Sequence, residues 1–302
     1  MKQNKEITVS VIGGINVDII GKSIGPILMD NSNPGITEIN IGGVACNIAR
    51  MLSLLGKNSS ACTIKVKMYS AAGGDAFSKM VLTGIKKYGI DTSGILNLKS
   101  YKTGRYLSIL NTDSEMVTAI SDMRIMEAIN AKVIEKWEPE IAESDFLAAD
   151  TNLTAESLDG ICRIADKNKI PVLVDPVSVQ KAIKILEVKH SITYCTPNEA
   201  EYLALSDEKQ KDLEKGIIRG FPGVKNIIIT RGKRDVVFFD SISGESRSFP
   251  VKPVNVENPN GAGDAFAAGL IYALITGTPV WKAVEAGIAS AKEALKTMQS
   301  IP

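Results

Sequence analysis

The sequence predicts an α/β fold, a three-layer sandwich with a mostly parallel central sheet, to which a small β-rich lid is added. Short apolar and β-branched runs alternate with longer stretches in which apolar residues recur every three or four positions. Strands of about five residues separated by helices of about ten to fifteen are typical of βαβ units, whose sheet is covered by helices on both faces. No internal repeat or Pro-rich linker divides the chain. We therefore expect a single domain over residues 1–302.

The strand predictions follow the compact apolar runs. Residues 7–12 form the first, a β-rich run that ends at the diglycine Gly13-Gly14. Further strands are predicted at residues 146–149, 172–174, 192–195 and 227–229.

The helix predictions rest on apolar residues at i, i+3, i+4 and i+7, which line one face of a helix. This pattern predicts helices over residues 44–55, 77–88 and 158–165, the first of them closed by Gly56. Residues 265–275 are apolar throughout but much shorter than the roughly 20 residues needed to cross a bilayer. They predict a buried helix.

Two segments, residues 17–41 and 103–120, break the alternation. Both contain β-branched or alternating runs with turn residues and little helical periodicity. In the second, residues 106–110 and 116–120 flank a turn, which predicts a hairpin. We expect the two segments to form the lid together.

Composition and missing motifs exclude several function classes. The chain has 35 Lys+Arg against 34 Asp+Glu, a net charge of +1, whereas nucleic-acid binders usually carry a clustered basic excess. Its four cysteines form no CxxC pair and His190 is its one histidine, which argues against a thiolate or histidine metal site and against Ser-His-Asp hydrolysis. A P-loop fails at Asn16, and a dinucleotide fingerprint fails at Phe266.

The amino terminus is polar and leads into the first strand without the apolar core of a secretion signal. We therefore expect a cytoplasmic protein that binds neither a membrane nor a nucleic acid.

The sharpest chemical motif is Gly261-Ala262-Gly263-Asp264, directly ahead of the apolar helix predicted at residues 265–275. Glycines there let backbone N–H groups converge on an anion, and the helix dipole adds about half a positive charge. Asp264 has two interpretations: an ordinary carboxylate at a helix start, or a general base for an alcohol that attacks a held phosphoryl group. The motif predicts an anion hole and leaves both interpretations open.

A second motif, Gly42-Gly43 with Asn47 four residues later, opens the helix predicted at residues 44–55. A glycine pair beside an amide suits a polyhydroxylated ligand, although Asn47 could simply face a polar helix end. Asp18, which follows the first strand and its diglycine turn, could accept two adjacent hydroxyls. Because ligands of α/β proteins usually bind at the carboxyl ends of the strands, we expect these residues to line one crevice.

As a pair, these two motifs resemble the signatures of the ribokinase-like carbohydrate kinase family, the phosphofructokinase-B type. The resemblance covers essentially the whole chain, because Gly13, Gly14, Asp18, both lid segments and residues 197–201 and 230–232 also follow the family's order. It implies a kinase that uses ATP and Mg²⁺ to phosphorylate a sugar or nucleoside.

Further segments resemble those family members that phosphorylate the nucleoside pseudouridine at its 5′-hydroxyl. They are residues 13–21, 32–35, 106–110, 115–116, 119–123 and 174–178, together with Asn258. Ribose, another nucleoside or a hexose is the alternative acceptor. A non-catalytic sugar or nucleoside sensor is the alternative from another functional class.

The resemblance also implies a role for each site residue. Asp264 takes the proton of the sugar hydroxyl, and the amides of Gly261, Ala262 and Gly263 hold the charge on the phosphoryl oxygens. The residues expected to bind the ribose are Asp18, Gly42, Gly43 and Asn47, and those expected to recognise the base are Asn16, Ser32, Asn33, Tyr106 and Thr118.

On the nucleotide side, the resemblance implies that Thr230, Gly232, Asn198 and Asn260 bind ATP, and that Asn198 and Glu201 organise Mg²⁺ through its waters. Taken alone, the Asn198–Glu201 pair is also a common start of an exposed helix. Asn258 stands where most family members carry aspartate near a monovalent-cation loop, which leaves any monovalent-cation requirement open. Lids of this family often pair in dimers, so the resemblance implies a homodimer that forms through the lid.

Overall fold

The structure is a computed structural model that describes residues 5–57, 62–206, 208–254 and 261–296. In these residues the strands are β1 (Lys5–Ile12), β2 (Asn16–Ser23), β3 (Gly35–Gly42), β4 (Cys62–Gly73), β5 (Ile95–Leu98), β6 (Gly104–Leu110), β7 (Met116–Asp122), β8 (Phe146–Asp150), β9 (Val172–Asp175), β10 (Ile192–Cys195), β11 (Val224–Thr230), β12 (Val236–Asp240) and β13 (Ser246–Phe249). The α-helices are α1 (Val44–Lys57), α2 (Ala76–Lys86), α3 (Ala131–Ile141), α4 (Ala155–Asn168), α5 (Val179–Ala182), α6 (Glu199–Leu205), α7 (Gln210–Glu214), α8 (Ala262–Ile275) and α9 (Val280–Leu295). Arg124–Ala128 and Ile183–Glu187 are short 3₁₀ helices.

The central sheet has nine strands in the order β13-β12-β11-β10-β9-β8-β1-β4-β5. The strands from β11 to β5 run parallel, while β12 and β13 add an antiparallel edge. This arrangement confirms the mostly parallel sheet that the alternating pattern predicts. It also brings the carboxyl ends of β1, β8 and β9 next to one another.

Different helices cover the two faces of the central sheet. On one face, α1, α2, α8 and α9 pack over strand residues such as Val9 and Val11. On the other face, α3, α4, α6 and α7 pack over residues such as Ile12 and Leu147. Because successive residues of a strand point to opposite faces, β1 contributes to both cores. Each fully buried aliphatic side chain stabilises the folded state by about 1.5–3 kcal/mol relative to an exposed one. The three layers, helices on both faces of one sheet, confirm the predicted fold class.

Helix α8 confirms the buried helix predicted at residues 265–275. It packs closely on α9, where a side chain at Gly269 would overlap Ser290. Within the described ranges, none of the helices combines the length and apolarity needed to span a membrane. Some boundaries differ from the predictions. Helix α1 continues through Gly56 to Lys57, so Gly56 does not close it, and α2 ends at Lys86 rather than at residue 88.

A second sheet of four strands, in the order β3-β2-β6-β7, takes its strands from the two segments predicted to form the lid, and we call this sheet the lid. The start of β6 is joined to the rest of the fold by Asp75, the N-cap of α2. The Asp75 carboxylate accepts hydrogen bonds from the Thr103 hydroxyl (2.6 Å) and from Nη2 of Arg105 (2.8 Å). The lid therefore begins at a fixed point beside the carboxyl end of β4.

Candidate active site

Asp150 is the central support of the site, at the carboxyl end of β8 and completely buried. Its Oδ2 accepts hydrogen bonds from the backbone N–H groups of Gly14 and Ala45, both at 2.9 Å, and its Oδ1 accepts one from that of Asn152, also at 2.9 Å. A side chain at Gly13 would overlap this carboxylate. Asp150 thus joins the diglycine turn after β1 to the start of α1. The sequence analysis did not single it out, although an aspartate directly after a buried strand is a usable signal.

A hydrogen bond joins the two glycine motifs. Nδ2 of Asn47, on α1, donates to Oδ2 of Asp264, in the first turn of α8, at 2.8 Å. The residues are 217 positions apart in the chain. Helices α1 and α8 pack side by side on the same face of the central sheet, which brings their amino-terminal turns together. The structure thus places the amide predicted to bind the sugar beside the aspartate predicted to be the base.

Burial raises the pKa of Asp264 to about 7, and the negative charges of Asp150 and Asp18 act in the same direction. The hydrogen bond from Asn47 acts in the opposite direction and lowers this pKa. A general base works best when its pKa is close to the working pH, because a substantial fraction is then ionised and the ionised form still holds a proton well. Asp264 is therefore electrostatically suited to accept a proton from an alcohol.

The turn before Asp264 presents the amino end of α8. Gly261 is the N-cap, with φ of +80°, a left-handed conformation that favours glycine. Its carbonyl accepts from the N–H of Ala265 at 2.9 Å, which starts the helix. The preceding N–H groups of the first turn have no partner within a helix, and Gly263 is exposed. The backbone at this end of α8 can hold an anion, with Asp264 beside it.

Asp18 lies on β2 beside Asn16, whose Nδ2 donates to Oδ1 of Asp18 at 2.5 Å. A side chain at Gly42 would overlap the Asp18 carboxylate, so the glycine is needed for this close approach. Gly43 has φ of +102°, and a side chain there would overlap the carbonyl of Gly14. Burial raises the pKa of Asp18 to about 6, against the lowering effects of Asn16 and of a nearby arginine, Arg50.

Two of the predicted base-recognition residues lie on opposite faces of the lid. Tyr106 is paired with Asp18 across β2 and β6, so both side chains lie on one face. Burial and the Asp18 charge raise the pKa of Tyr106, which agrees with this placement. Thr118 is paired with Ile109, which is three residues from Tyr106 and thus on the other face. The register therefore does not bring Thr118 to the Asp18 side of its own lid.

Ser32 and Asn33 lie in the loop between β2 and β3, away from the regular part of the lid. Asn33 closes this loop on itself, because its Oδ1 accepts from the N–H of Leu28 at 2.8 Å and its Nδ2 donates to the Leu28 carbonyl at 3.0 Å. Ser32 is exposed. Neither contacts Asp18 or Asp264 through a described hydrogen bond.

Asn198 and Glu201 form a capping box at the start of α6. Oδ1 of Asn198 accepts from the N–H of Glu201 at 3.0 Å, and Oε2 of Glu201 accepts from the N–H of Asn198 at 2.8 Å. The loop is tied to the sheet, since the N–H of Thr230 donates to the Pro197 carbonyl at 2.9 Å. Gly232 follows in the exposed turn between β11 and β12, with φ of +62°. Asn260 lies outside the described residues, as does Asn258.

Asp175 is a further buried carboxyl group at this edge that the sequence analysis did not assign. Burial raises its pKa well above the usual range, and the charges of Asp264, Glu201 and Asp150 add to the effect. Within the described part of the chain, no group of three or more His, Cys, Asp or Glu side chains is arranged to hold a metal ion by itself. Oxygen donors such as Asn198 and Glu201 nevertheless fit Mg²⁺, which keeps several waters and is commonly shared with substrate phosphates.

Comparisons with known proteins agree with this geometry. Residues 7–302 match the pfkB family of carbohydrate kinases. The chain is similar to the pseudouridine kinase of Escherichia coli (strain K12), with 34% identity over 282 residues that cover 91% of this chain and 86% of that protein. It is also similar to the solved structure of a carbohydrate kinase from Agrobacterium tumefaciens, with a TM-score of 0.80 and 27% identity over 98% of this chain and 92% of that one.

The Arabidopsis thaliana ribokinase, solved with ribose and ATP, has the same fold, with a TM-score of 0.77 and 16% identity over 99% of this chain and 96% of that one. Because the family match spans nearly the whole sequence, the chain belongs to the pfkB family of carbohydrate kinases and is a phosphotransferase that acts on a sugar or nucleoside.

Proposed function

We propose that the protein transfers the γ-phosphoryl group of ATP to the 5′-hydroxyl of pseudouridine, giving pseudouridine 5′-phosphate and ADP. The observation that carries the chemistry is the hydrogen bond between Asn47 and Asp264 at the amino end of α8. Around this bond lie an amide suited to a polyol, a carboxylate with a pKa of about 7 and a helix end suited to an anion, and this grouping supports the proposal. The choice of pseudouridine is supported by the similarity to the Escherichia coli enzyme.

In this mechanism, the nucleoside lies between the carboxyl edge of the central sheet and the lid. Asp18, with its raised pKa of about 6, is still largely ionised at neutral pH and accepts hydrogen bonds from adjacent ribose hydroxyls. Asn47, with the glycine pair Gly42-Gly43, holds the sugar close to the backbone. Tyr106, on the Asp18 face of the lid, and Asn16 lie on the side where the base would stand.

Asp264 takes the proton of the 5′-hydroxyl as its oxygen forms a bond to the γ-phosphorus of ATP. The bond from that phosphorus to the β,γ-bridging oxygen breaks, and ADP leaves with the bonding electron pair. The N–H groups of Gly261, Ala262 and Gly263 hold the negative charge on the transferring oxygens. The proton on Asp264 then passes to solvent, which is easy for a group whose pKa is about 7.

The nucleotide side of the proposal uses Thr230 and Gly232 along the phosphate path, together with Asn198 and Asn260. When bound, Mg²⁺ neutralises charge on the phosphates, and Asn198 and Glu201 hold its waters. The capping box uses one acceptor site on each of these two side chains, and a carboxylate has about four, so both roles are compatible.

A substrate panel tests the proposal. Pseudouridine, uridine, ribose and fructose are each incubated with ATP and Mg²⁺, and both ADP release and the mass of the phosphorylated product are followed. We expect the highest kcat/KM for pseudouridine. Turnover of ribose or fructose without turnover of pseudouridine would contradict pseudouridine as the substrate. Saturable binding without turnover of any of the four compounds would favour a non-catalytic sugar or nucleoside sensor.

We further propose that the protein is a homodimer that pairs through the lid. The lid face opposite Asp18 exposes Ile39, Leu107 and Ile120, which are 51%, 38% and 66% accessible. Exposed apolar side chains that lie together on one face mark an interaction surface. Light scattering should give a dimer mass for the wild type and a monomer mass for Ile120→Lys, whereas a wild-type monomer would contradict the pairing.

A further inference from the structure

Arg50 lies on α1, one turn after Asn47, and is half-buried at the edge of the site. Its Nη1 donates to the carbonyl of Ile41, at the end of β3, at 3.3 Å, and to Oδ1 of Asn47 at 3.4 Å. Its Nη2 donates to the hydroxyl of Tyr88 at 2.8 Å, and the guanidinium carbon stands 4.7 Å from the centre of the Tyr88 ring. Groups from three different parts of the fold thus hold this guanidinium.

The position of Arg50 determines whether the oxygen or the NH₂ group of the Asn47 amide points towards Asp264. An amide has one accepting oxygen and one donating NH₂ group, while a guanidinium only donates. With the Asn47 oxygen towards Arg50, the Nδ2 group is free to donate to Asp264, as observed. A flipped amide would bring its NH₂ group against the guanidinium and its oxygen against the Asp264 carboxylate, and both contacts would be repulsive.

We propose that Arg50 is a positioning residue, which through Asn47 ensures that the Asp264 carboxylate receives a hydrogen-bond donor. Arg50 does not touch the reacting atoms in this account. The inference rests on the proposed function only in taking Asp264 as the base, and it holds for any alcohol acceptor.

The charged groups around Asp264 set the direction of the expected effect. Asn47 donates to it from α1, with Arg50 on the other side of the Asn47 amide, and the charges of Asp18 on the lid and Asp150 at the end of β8 act on it. The Asp264 charge in turn acts on Asp175, at the end of β9. The hydrogen bond from Asn47 lowers the pKa of Asp264, and the negative charges of Asp150 and Asp18 raise it. Loss of the oriented amide therefore raises this pKa above about 7, which leaves less of the base ionised at neutral pH.

The test is a carboxyl-carbon NMR titration of Asp264, assigned with Asp264→Asn, in the ligand-free protein. The key variant is Arg50→Lys, which keeps the positive charge but cannot reproduce the planar fork that reaches Ile41, Asn47 and Tyr88 together. We expect the pKa of Asp264 to rise by about one unit. Arg163→Lys, a matched change at an arginine on α4 that pairs with Glu138, should leave this pKa unchanged.

A double variant separates positioning from a direct effect of charge. Asn47→Ala should raise the pKa of Asp264 by a similar amount, and Arg50→Lys should add nothing in that background because its action passes through Asn47. An unchanged pKa of Asp264 in Arg50→Lys would overturn the proposal. So would a rise of this pKa that is equally large when Arg50→Lys is added to the wild type and to Asn47→Ala. Arg50→Met, with the same comparison, replaces Arg50→Lys if the lysine variant does not fold.

This titration needs no turnover. A wild type that fails to phosphorylate pseudouridine would therefore count against the proposed function alone, whereas an unshifted Asp264 in the Arg50 variants would count against this inference alone.

Discussion

The carboxyl edge of the central sheet and the lid both carry residues of the candidate site, but they hold them in different ways. At the sheet edge, Asp150 is completely buried and binds three backbone N–H groups. On the lid, most of β3 and β7 is exposed. The groups proposed to carry the chemistry are thus held by the core, while those proposed to choose the acceptor stand on a thinly covered sheet. Changes at the sheet edge should affect kcat and stability, and changes in the lid should affect KM for the acceptor.

The largest effect is expected at Asp264. Asp264→Asn keeps the shape of the side chain but removes the base, so kcat should fall by about 10² to 10⁴-fold. Substrate binding, followed by calorimetry with the nucleoside, should be largely kept. A wild-type kcat in this variant would remove Asp264 from the mechanism.

Asp150→Asn tests the support beneath the site. One carboxylate oxygen would become an NH₂ group facing backbone donors, which leaves buried N–H groups without acceptors and costs about 3 kcal/mol of unfolding free energy. Urea unfolding measures this loss. Asp122→Asn is the control in the lid, because Asp122 pairs with an 81% exposed Arg124 and should lose less than about 1 kcal/mol. Equal losses in the two variants would contradict the contrast between the regions.

The lid should show the smallest effects, and they should depend on the face. Tyr106→Phe removes a hydroxyl on the Asp18 face and should raise KM for the acceptor by about 3- to 10-fold, with little change in KM for ATP. Thr118→Val, on the opposite face, should change KM for the acceptor less than about twofold. Steady-state kinetics measures KM for the acceptor in both variants. A larger increase in Thr118→Val than in Tyr106→Phe would contradict the assignment of these residues to the two faces of the lid.

Helices and strands could be predicted from the sequence where the apolar pattern was strong. The apolar helix α8 and the periodic helix α1 were both predictable, and so was their association with the two glycine motifs. The long strand β4 was missed, because its first half mixes lysines with apolar residues and its second half is rich in small residues. Neither half gives a clear strand signal by itself.

The arrangement of the site depends on contacts that local patterns do not contain. The face on which Thr118 lies follows from the register between β6 and β7, and a one-residue slip would reverse it. The Asn47–Asp264 hydrogen bond joins residues 217 positions apart. The Asp150 contacts likewise join the end of β8 to the turn after β1 and to the start of α1, both more than a hundred positions away. Such pairs become visible only when the helices and strands are packed.

Asp264, with its pKa raised by burial, is proposed to be the base of an alcohol kinase. The most direct test is the pH dependence of kcat/KM for the preferred acceptor, measured with the wild type. Because the base acts only when ionised, we predict that activity is lost as the pH falls, with a midpoint near pH 7. A rate that stays flat through this range, or that falls only near the ordinary aspartate pKa of about 4, would show that Asp264 is not the base.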